Sequence, residues 1–256
     1  MRKLFLAMTA VVALAGSASA ADMAVKAPLY KAPPPVYSWT GCYVGAGAGY
    51  GLYDLDTHLA DVNGGQFGVP LDQAGRGWFG TAQFGCDYQV SSSWVIGAFV
   101  DGDWGRIRGK HTGEGSAIGL ISGDMTLKWS WAVGGRIGYL VTPSLLTYVS
   151  GGFTQAKFSG TTYATAANVA DGFAVPDQKY NGYFIGSGVE YAFNWLPGLY
   201  WKTEYRFADY RTQSLGVFST STGALTGTFE STHPYVHTVR TELVWRFGPG
   251  PVVAKY

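Results

Sequence analysis

The segment Tyr235–Phe247 has the sequence Y-V-H-T-V-R-T-E-L-V-W-R-F and alternates between two kinds of side chain. Its odd-numbered positions are mostly aromatic or aliphatic, whereas its even-numbered positions include Arg240, Glu242 and Arg246. A period of two over this length predicts a β-strand whose two faces meet different surroundings. A strand with one face on a soluble core has the same pattern, so this segment alone does not establish the fold.

Seven more segments of the same kind precede it. They cover about residues 39–53, 77–90, 94–107, 126–141, 145–158, 180–193 and 199–210. The pattern separates two faces in all of them except 145–158, where both faces mix apolar, hydroxyl and glycine residues. The chain is therefore predicted to be all-β, with eight strands.

The connections between these strands alternate in length. Those at 90–93, 142–144 and 195–198 are tight turns rich in Ser, Pro or Gly. Four long connections are rich in Gly, Thr, Ser and Asp, near residues 54–76, 108–124, 160–178 and 214–231. Because this alternation gathers the loops at one end, it predicts an eight-stranded antiparallel up-and-down transmembrane β-barrel, with the loops outside and both termini in the periplasm.

The N-terminal residues predict export. Arg2 and Lys3 precede an apolar run over residues 4–14 and the sequence A-S-A at residues 18–20, which is typical of a cleaved signal peptide. An uncleaved anchor is the alternative, but the run is shorter than a membrane-spanning helix requires. Residues 21–38 are proline-rich and predict an extended periplasmic linker, residues 39–247 form the predicted barrel, and residues 248–256 form a short tail.

Composition excludes some classes of function. Cleavage after residue 20 removes Arg2 and Lys3 from the 18 Lys and Arg residues, which leaves 16 against 17 Asp and Glu. A near-neutral chain without a basic run is not expected to bind nucleic acid. Charged residues make up only 14% of the chain and aromatic residues 16%, whereas an exported soluble domain usually carries more charge.

The tryptophans support a membrane barrel over a soluble one. All nine are predicted at strand ends: on the turn side Trp39, Trp94, Trp195, Trp201 and Trp245, and towards the loops Trp78, Trp104, Trp129 and Trp131. Aromatic girdles at the two membrane–water interfaces explain this distribution. The alternative is a soluble barrel of the lipocalin type, which needs an apolar interior and would turn the charged faces outward.

Four short motifs resemble those of a known family. They are W-T-G-C-Y-V-G-A-G-A-G from Trp39, G-C-D-Y-Q from Gly85, G-V-E-Y-A-F from Gly188 and K-T-E-Y from Lys202. The chain is similar in these motifs to the small immunogenic, porin-like outer-membrane proteins of alpha-proteobacteria. That family usually ends at the aromatic residue of its last strand, whereas this chain continues past Phe247.

The resemblance implies an OmpA-like barrel in the outer membrane of a Gram-negative bacterium. It implies envelope and surface roles rather than a defined reaction, with no cofactor. The expected partners are outer-membrane lipid, lipopolysaccharide and the outer-membrane assembly machinery. The predicted loops do not identify a surface ligand.

An outer-membrane enzyme is the main alternative. The serine motif G-x-S-x-G is absent, and the histidines His58, His111, His233 and His237 lack the spacing of metal ligands. His233 and His237 flank the outer end of the last strand, where a histidine beside a loop acid could act as a base. Asp54 and Asp56 supply too few carboxylates for a calcium site. No catalytic, cofactor or metal residue is predicted.

Cys42 and Cys86 are predicted to form a disulfide. They lie on adjacent antiparallel strands with the same parity, and the register that opposes them also opposes Val44 to Phe84. Cross-strand neighbours lie within reach of a disulfide, and the periplasm is oxidising. The alternative is two free thiols facing lipid near the periplasmic rim.

The inward faces predict a charge network in the lumen. Its acids are Asp101, Asp103, Glu190, Glu204 and Glu242, and its bases are Lys128, Arg136, Lys202, Arg206 and Arg240. Eight strands enclose a space that side chains can fill, so the paired charges are expected to plug the barrel and brace its strands. The alternatives are a narrow pore or a small-solute porin. The plug predicts that Glu204→Ala lowers stability far more than Asp61→Ala.

Overall fold

The computed structural model describes residues 38–115, 119–164 and 170–247. The predicted signal peptide, the tail and the linker up to residue 37 lie outside the described residues. Within the described ranges no helix is long and apolar enough to cross a membrane.

The described chain forms one antiparallel sheet that closes on itself. Its strands are β1 (Gly41–Ala60), β2 (Gln66–Gln89), β3 (Trp94–Gly115), β4 (Gly119–Thr142), β5 (Leu145–Phe158), β6 (Thr161–Ala164), β7 (Ala170–Val175), β8 (Gln178–Ala192), β9 (Leu199–Tyr210), β10 (Gln213–Ser219) and β11 (Leu225–Phe247). The order is β1-β2-β3-β4-β5-β8-β9-β11, and β11 pairs with β1 to close the ring. The prediction of an eight-stranded up-and-down barrel is confirmed.

Three of the eight strand paths are each divided into two segments. β5 continues as β6, β7 continues into β8, and β9 continues as β10. The β5–β8 hairpin is antiparallel, with Phe153 opposite Tyr183, and the β6–β7 pair above it is antiparallel too, with Thr162 opposite Ala174. Since β6, β7 and β10 pair in turn between β4 and β11, the eight-stranded ring persists into the loop end.

The prediction of four long loops was wrong. β1 runs to Ala60 and β2 begins at Gln66, and the other predicted loops contain the ends of β3 and β4 and the short strands β6, β7 and β10. A strand of 24 residues rises about 80 Å, whereas about 9–11 tilted residues cross the membrane. The barrel wall therefore continues well beyond the bilayer.

Hydropathy reverses across the strands where they leave the membrane. In the lower part of β1, apolar Val44 and Leu52 are exposed on the outer wall. Further up the same strand, Leu55 is buried inside while Asp54 and Asp56 are exposed. An outer wall in water needs polar side chains, so the period of two persists but its apolar phase moves to the inner face. Because of this reversal, the sequence pattern of the upper strand segments resembled polar loops.

The outer wall of the membrane-spanning part is apolar. Exposed side chains on it include Phe84, Ile96, Val100, Val133, Ile137, Ile185, Val239 and Leu243. Seven tryptophans are exposed, from 37% at Trp131 to 73% at Trp195, and Trp129 is partly exposed, as expected for aromatic girdles. The prediction was wrong for Trp39, which is fully buried at the turn end of the lumen.

Strand β5, whose faces the sequence did not separate, also alternates. Its inward side chains include Leu146, Tyr148, Thr154 and Phe158, and Val149 faces outward. The outer face is apolar because it meets lipid. The inner face is also partly apolar, because it packs in the aromatic clusters at both ends of the lumen.

Glycine is required where a neighbouring strand sends a large side chain inward. A Cβ atom on Gly49 would lie 2.3 Å from the ring of Phe79 and 2.7 Å from the carbonyl oxygen of Val239. A Cβ atom on Gly85 would lie 2.4 Å from the hydroxyl of Tyr43. These distances are shorter than van der Waals contact, so the glycines make room for side chains that fill the lumen.

Candidate functional site

A balanced cluster of four charges lies inside the barrel at its turn end. Asp87 on β2, Arg136 on β4, Glu190 on β8 and Arg246 on β11 come from every second strand of the ring. Arg136 donates to Asp87 and, through Nη1, to Oε2 of Glu190 at 2.9 Å. Arg246 Nη2 lies 2.7 Å from Oε1 of Glu190 and 2.7 Å from Oδ2 of Asp87. Two acids thus neutralise two bases.

Aromatic rings enclose this turn-end cluster. The Arg246 guanidinium lies 4.9 Å from the ring centroids of Trp39, Tyr43 and Tyr200. Trp39 donates its indole N–H to the carbonyl oxygen of Pro143 at 3.1 Å, and its own carbonyl oxygen accepts from Arg246 at 3.2 Å. Rings over guanidinium groups exclude water while keeping a favourable contact with the cations.

A second cluster of charges occupies the middle of the lumen. Arg206 binds Asp101 with two hydrogen bonds of 3.0 and 2.7 Å and also donates to Glu204 at 3.0 Å. Arg240 lies 3.3 Å from Asp101 and 3.1 Å from Asp103. These contacts connect β3 to β9 and β11 across the lumen, and the bidentate pair is the strongest arrangement that a carboxylate and a guanidinium form.

Lys202 and its partners complete this middle cluster. Lys202 Nζ lies 3.6 Å from Glu204, 3.4 Å from Glu242 and 2.7 Å from the side-chain oxygen of Gln83. Gln83 also donates to Glu242, and Tyr148 donates to Glu204 at 2.8 Å. Neutral hydrogen-bond partners therefore satisfy carboxylate oxygens that the cations do not reach.

The middle cluster contains four acids (Asp101, Asp103, Glu204 and Glu242) and three bases (Lys202, Arg206 and Arg240). With the turn-end cluster, six acids and five bases lie inside the membrane-spanning barrel.

An aromatic and aliphatic cluster begins among the middle charges, where the Arg240 guanidinium lies 5.9 Å from the ring centroid of Phe79 and that of Arg206 lies 4.1 Å from the ring centroid of Phe184. The cluster continues towards the loop end with Phe158 and Tyr210. A cavity of about 20 Å³ remains where it meets the middle cluster, beside Asp103, Tyr210 and Arg240 among others. That volume is enough for about one water molecule. Charged or aromatic side chains are thus present in the described lumen at all three levels.

The structure places nine of the ten predicted network residues in the lumen and puts Lys128 outside it. A β-bulge between Leu127 and Trp129 shifts the parity of β4, so Leu127 is buried inside and Lys128 is exposed. Lys128 pairs with Asp177 at 3.1 Å on the outer wall. The prediction for Lys128 was wrong because a strict period of two does not allow for the extra residue of a bulge.

Asp177 neutralises two lysines beyond the apolar band of the outer wall. It lies 3.1 Å from Lys128 and 3.0 Å from Lys157, and its Oδ1 accepts the backbone N–H of Gly160 at 2.7 Å. The Gly160 N–H and the two ammonium groups hold the pKa of the Asp177 carboxyl well below its usual range.

Sequence reasoning missed two members of the turn-end cluster, Asp87 and Arg246. Both lie on the inward face of their strands, Asp87 with Gln83 and Arg246 with Arg240. A signal that could have identified them is Tyr43, which lies on the inward face of β1 with the glycines and at the same height as Asp87 and Arg246. A large aromatic ring on that face indicates that the lumen is filled with side chains at this end.

Cys42 and Cys86 form a disulfide with an S–S distance of 2.03 Å. The β1–β2 register opposes Cys42 to Cys86 and Val44 to Phe84, which is the register that the sequence predicted. The bond lies on the outer wall at the turn end, where Cys86 is exposed.

The two histidines that the sequence singled out lie on the outer wall of β11. His233 Nε2 is 2.7 Å from Oδ1 of Asp209, and His237 Nδ1 is 2.8 Å from the hydroxyl of Tyr205. Asp209 belongs to strand β9 rather than to a loop. The described hydrogen bond of His233 is the one to Asp209.

Asp54 and Asp56 both face outward on β1. Among the residues that the structure describes, no three His, Cys, Asp or Glu side chains are grouped closely enough to hold a metal ion.

Comparisons with known proteins agree with this architecture. Residues 8–247 match the family model described as the outer membrane protein beta-barrel domain. The chain is 29% identical over 258 residues to the 31 kDa outer-membrane immunogenic protein of Brucella melitensis biotype 1, covering 96% of this chain and 100% of the relative. The protein of that name from Brucella suis biovar 1 gives the same figures.

A solved structure shares the fold. The outer membrane protein OprG from Pseudomonas aeruginosa superposes with a TM-score of 0.57 at 14% sequence identity, covering 81% of this chain and 97% of OprG. At that identity the likeness concerns the fold alone.

Proposed function

This chain belongs to the outer membrane protein beta-barrel domain family and lies in the outer membrane, and we propose that it is a structural and surface barrel whose lumen is closed to solutes. The observation that carries the proposal is the continuous filling of the lumen. Two charge clusters lie between aromatic side chains at the turn end and at the loop end. An open porin instead uses 16 or more strands around water.

The pairing of the charges supports a closed lumen over a narrow pore. Arg136, Arg206, Arg240 and Arg246 each contact at least one carboxylate within 3.3 Å, and their side chains are at most 5% exposed. An ion that entered would have to displace these partners and leave buried charges uncompensated, which costs several kcal/mol. A narrow pore is therefore the second candidate, and it requires the clusters to separate.

The extension of the wall beyond the bilayer supports a surface role. β1 to β4 each have 20 or more residues, about twice what the membrane requires. The upper part presents a polar outer wall, including Asp54 and Asp56 on β1. We therefore expect the barrel to stabilise the envelope and to present a rigid surface to its environment, with no chemical reaction.

A swelling assay tests whether the lumen is closed. Proteoliposomes containing the refolded protein are diluted into isotonic arabinose or glucose, and light scattering follows the entry of sugar. We expect the rate of liposomes without protein. Rapid swelling that decreases with the mass of the sugar would instead identify a small-solute porin.

An activity screen tests the enzymatic alternative. Purified protein is assayed for lipase, acylase and protease activity beside the variants His233→Gln and Asp209→Asn. We expect no turnover above background. Activity that both substitutions abolish would assign a catalytic role to the outer-wall pair and contradict the proposal.

A deletion strain tests the envelope role. Loss of the protein is expected to increase detergent sensitivity and dye uptake, and the wild-type gene should restore both. A strain that loses only adhesion, with an unchanged permeability barrier, would favour a dedicated binding role.

A further inference from the structure

Three arginines form an unneutralised patch on the outer wall of β2 and β3. Arg76 and Arg108 are direct cross-strand partners, and both are exposed. Arg106 is exposed beside them, where a bulge between Trp104 and Ile107 interrupts the pairing of β3 with β4. Like charges directly opposite each other destabilise a sheet, so this arrangement needs a compensating anion.

The protein supplies no such anion among the side chains that the structure describes. None of those carboxylates forms an ion pair with Arg76, Arg106 or Arg108, whereas Lys128 and Lys157 on the same outer wall both pair with Asp177. Asp54 and Asp124 face outward in neighbouring rows of the sheet and form no ion pair with the three arginines. Lys157 and Lys179 are also cross-strand partners of like charge, but there Asp177 lies 3.0 Å from Lys157.

The arginine patch (Arg76, Arg106 and Arg108) lies at the height of the outer lipid headgroups. Trp78 and Trp104 are 72% and 59% exposed on the same wall, and they belong to the girdle nearer the loops. Arg76 lies two residues nearer the loop end of β2 than Trp78. Arg106 lies two residues nearer the loop end of β3 than Trp104. Girdle tryptophans mark the membrane–water interface, so the guanidinium groups lie just beyond the acyl chains.

We propose that the arginine patch binds the phosphate groups of lipopolysaccharide in the outer leaflet. Guanidinium groups form bidentate hydrogen bonds with phosphate and keep their charge at every physiological pH. The phosphates of this lipid lie at the membrane surface, where they relieve the repulsion between Arg76 and Arg108. The inference rests on the location in the outer membrane and is independent of whether the lumen is closed.

The test compares two double variants that each remove two positive charges from the outer wall of the barrel. Arg76→Gln/Arg108→Gln removes the unneutralised pair, and Lys128→Gln/Lys157→Gln removes the two lysines that Asp177 bridges. Each protein is refolded in neutral detergent, its fold is checked by circular dichroism and heat-modifiable migration, and binding of purified lipopolysaccharide is measured by calorimetric titration. Dephosphorylated lipopolysaccharide and inorganic phosphate are titrated in parallel.

Each basic residue near an anionic lipid surface contributes about fivefold to affinity, so loss of the arginine pair should weaken binding about 30-fold. The lysine variant should bind within about threefold of wild type. Dephosphorylated lipid should bind wild type as weakly as the intact lipid binds the arginine variant.

A second readout separates binding from a structural role. Without lipopolysaccharide, the arginine variant should be at least as stable as wild type, since a like-charge contact is lost. Equal losses of affinity in the two double variants, or tight binding of dephosphorylated lipid, would overturn the proposal. Saturation of wild type by inorganic phosphate at micromolar concentration would instead assign the patch to a soluble anion and overturn the lipid assignment.

Discussion

Replacing Glu190 by glutamine removes one of the two negative charges in the turn-end cluster, which contains no further acid to neutralise its two arginines. Glu190 is fully buried and accepts hydrogen bonds from Arg136 and from two nitrogen atoms of Arg246. In wild type two acids face two bases, and in the variant Asp87 alone would face both guanidinium groups. Both carboxylate oxygens of Glu190 accept from arginine N–H groups, and a glutamine would place its own NH2 group against one of them. At least one hydrogen bond is therefore lost.

The middle cluster supplies a contrasting position of equal burial. Glu204 is 1% exposed and contacts Lys202, Arg206 and Tyr148. Because its cluster holds four acids and three bases, Glu204→Gln leaves three against three. We expect Glu190→Gln to lower the free energy of unfolding by about 3–5 kcal/mol, the cost of breaking a buried ion pair. Glu204→Gln should cost about 1–2 kcal/mol, mainly for weakened hydrogen bonds.

Urea-induced unfolding from phosphocholine vesicles, followed by tryptophan fluorescence, measures both differences. Asp54→Asn is the matched control, because Asp54 is an exposed carboxylate on the outer wall. Asp61 is a less suitable control than the sequence suggested, since its side chain accepts the backbone N–H groups of Asn63 and Gly65 at 2.8 Å. A cost for Glu190→Gln within about 1 kcal/mol of the control would refute the view that paired charges brace the barrel.

Three further variants test other contacts. Gly49→Ala should cost about 1–3 kcal/mol by forcing its new methyl against Phe79, whereas Gly80→Ala, whose Cβ would lie 3.9 Å from its nearest neighbours, should cost little; the same urea titration compares them. Trp39→Ala should cost about 3–5 kcal/mol because the indole is fully buried, whereas the 73% exposed Trp195 should tolerate alanine with a far smaller loss. For Asp177, the lowered pKa means that its stabilising effect is fully present above the ordinary pKa of an aspartate, about 3.9, and decreases as the pH falls below that value. Asp177→Asn should therefore cost less than about 1 kcal/mol at pH 7, because the site is half-exposed, and this difference should shrink in acid; a difference that grows on acidification would contradict the assignment.

The sequence was sufficient to predict the strands and faces of the membrane-spanning part of the barrel, because the outer and inner faces have different surroundings there. Lipid outside and polar side chains inside make the period of two visible, as in β11, where Val239 and Leu243 face outward and Arg240 and Glu242 face inward. The same alternation fixed the parity of the other predicted network residues. It failed at Lys128, where one inserted residue exchanged the faces of β4.

The loop end was not predictable by the same rule. Above the membrane the outer wall meets water, and the inner wall packs aromatic side chains such as Phe158 and Tyr210. The burial of Trp39 was missed for a related reason. An indole at a strand end is equally compatible with the interface and with the lumen, and only its contacts with Pro143 and Arg246 distinguish them.

Single-channel recording in planar bilayers tests most directly whether the lumen is closed. The refolded wild-type protein is added to a phospholipid bilayer in about 1 M KCl, a concentration at which surface charges are screened within about 3 Å, and an open 16-stranded porin serves as the positive control. With the clusters around Glu190 and Arg206 intact, we expect a flat baseline without stable openings of nanosiemens size. Stable openings of that size from the pure protein, at a frequency that rises with the amount added, would show that the charges line a pore rather than close it.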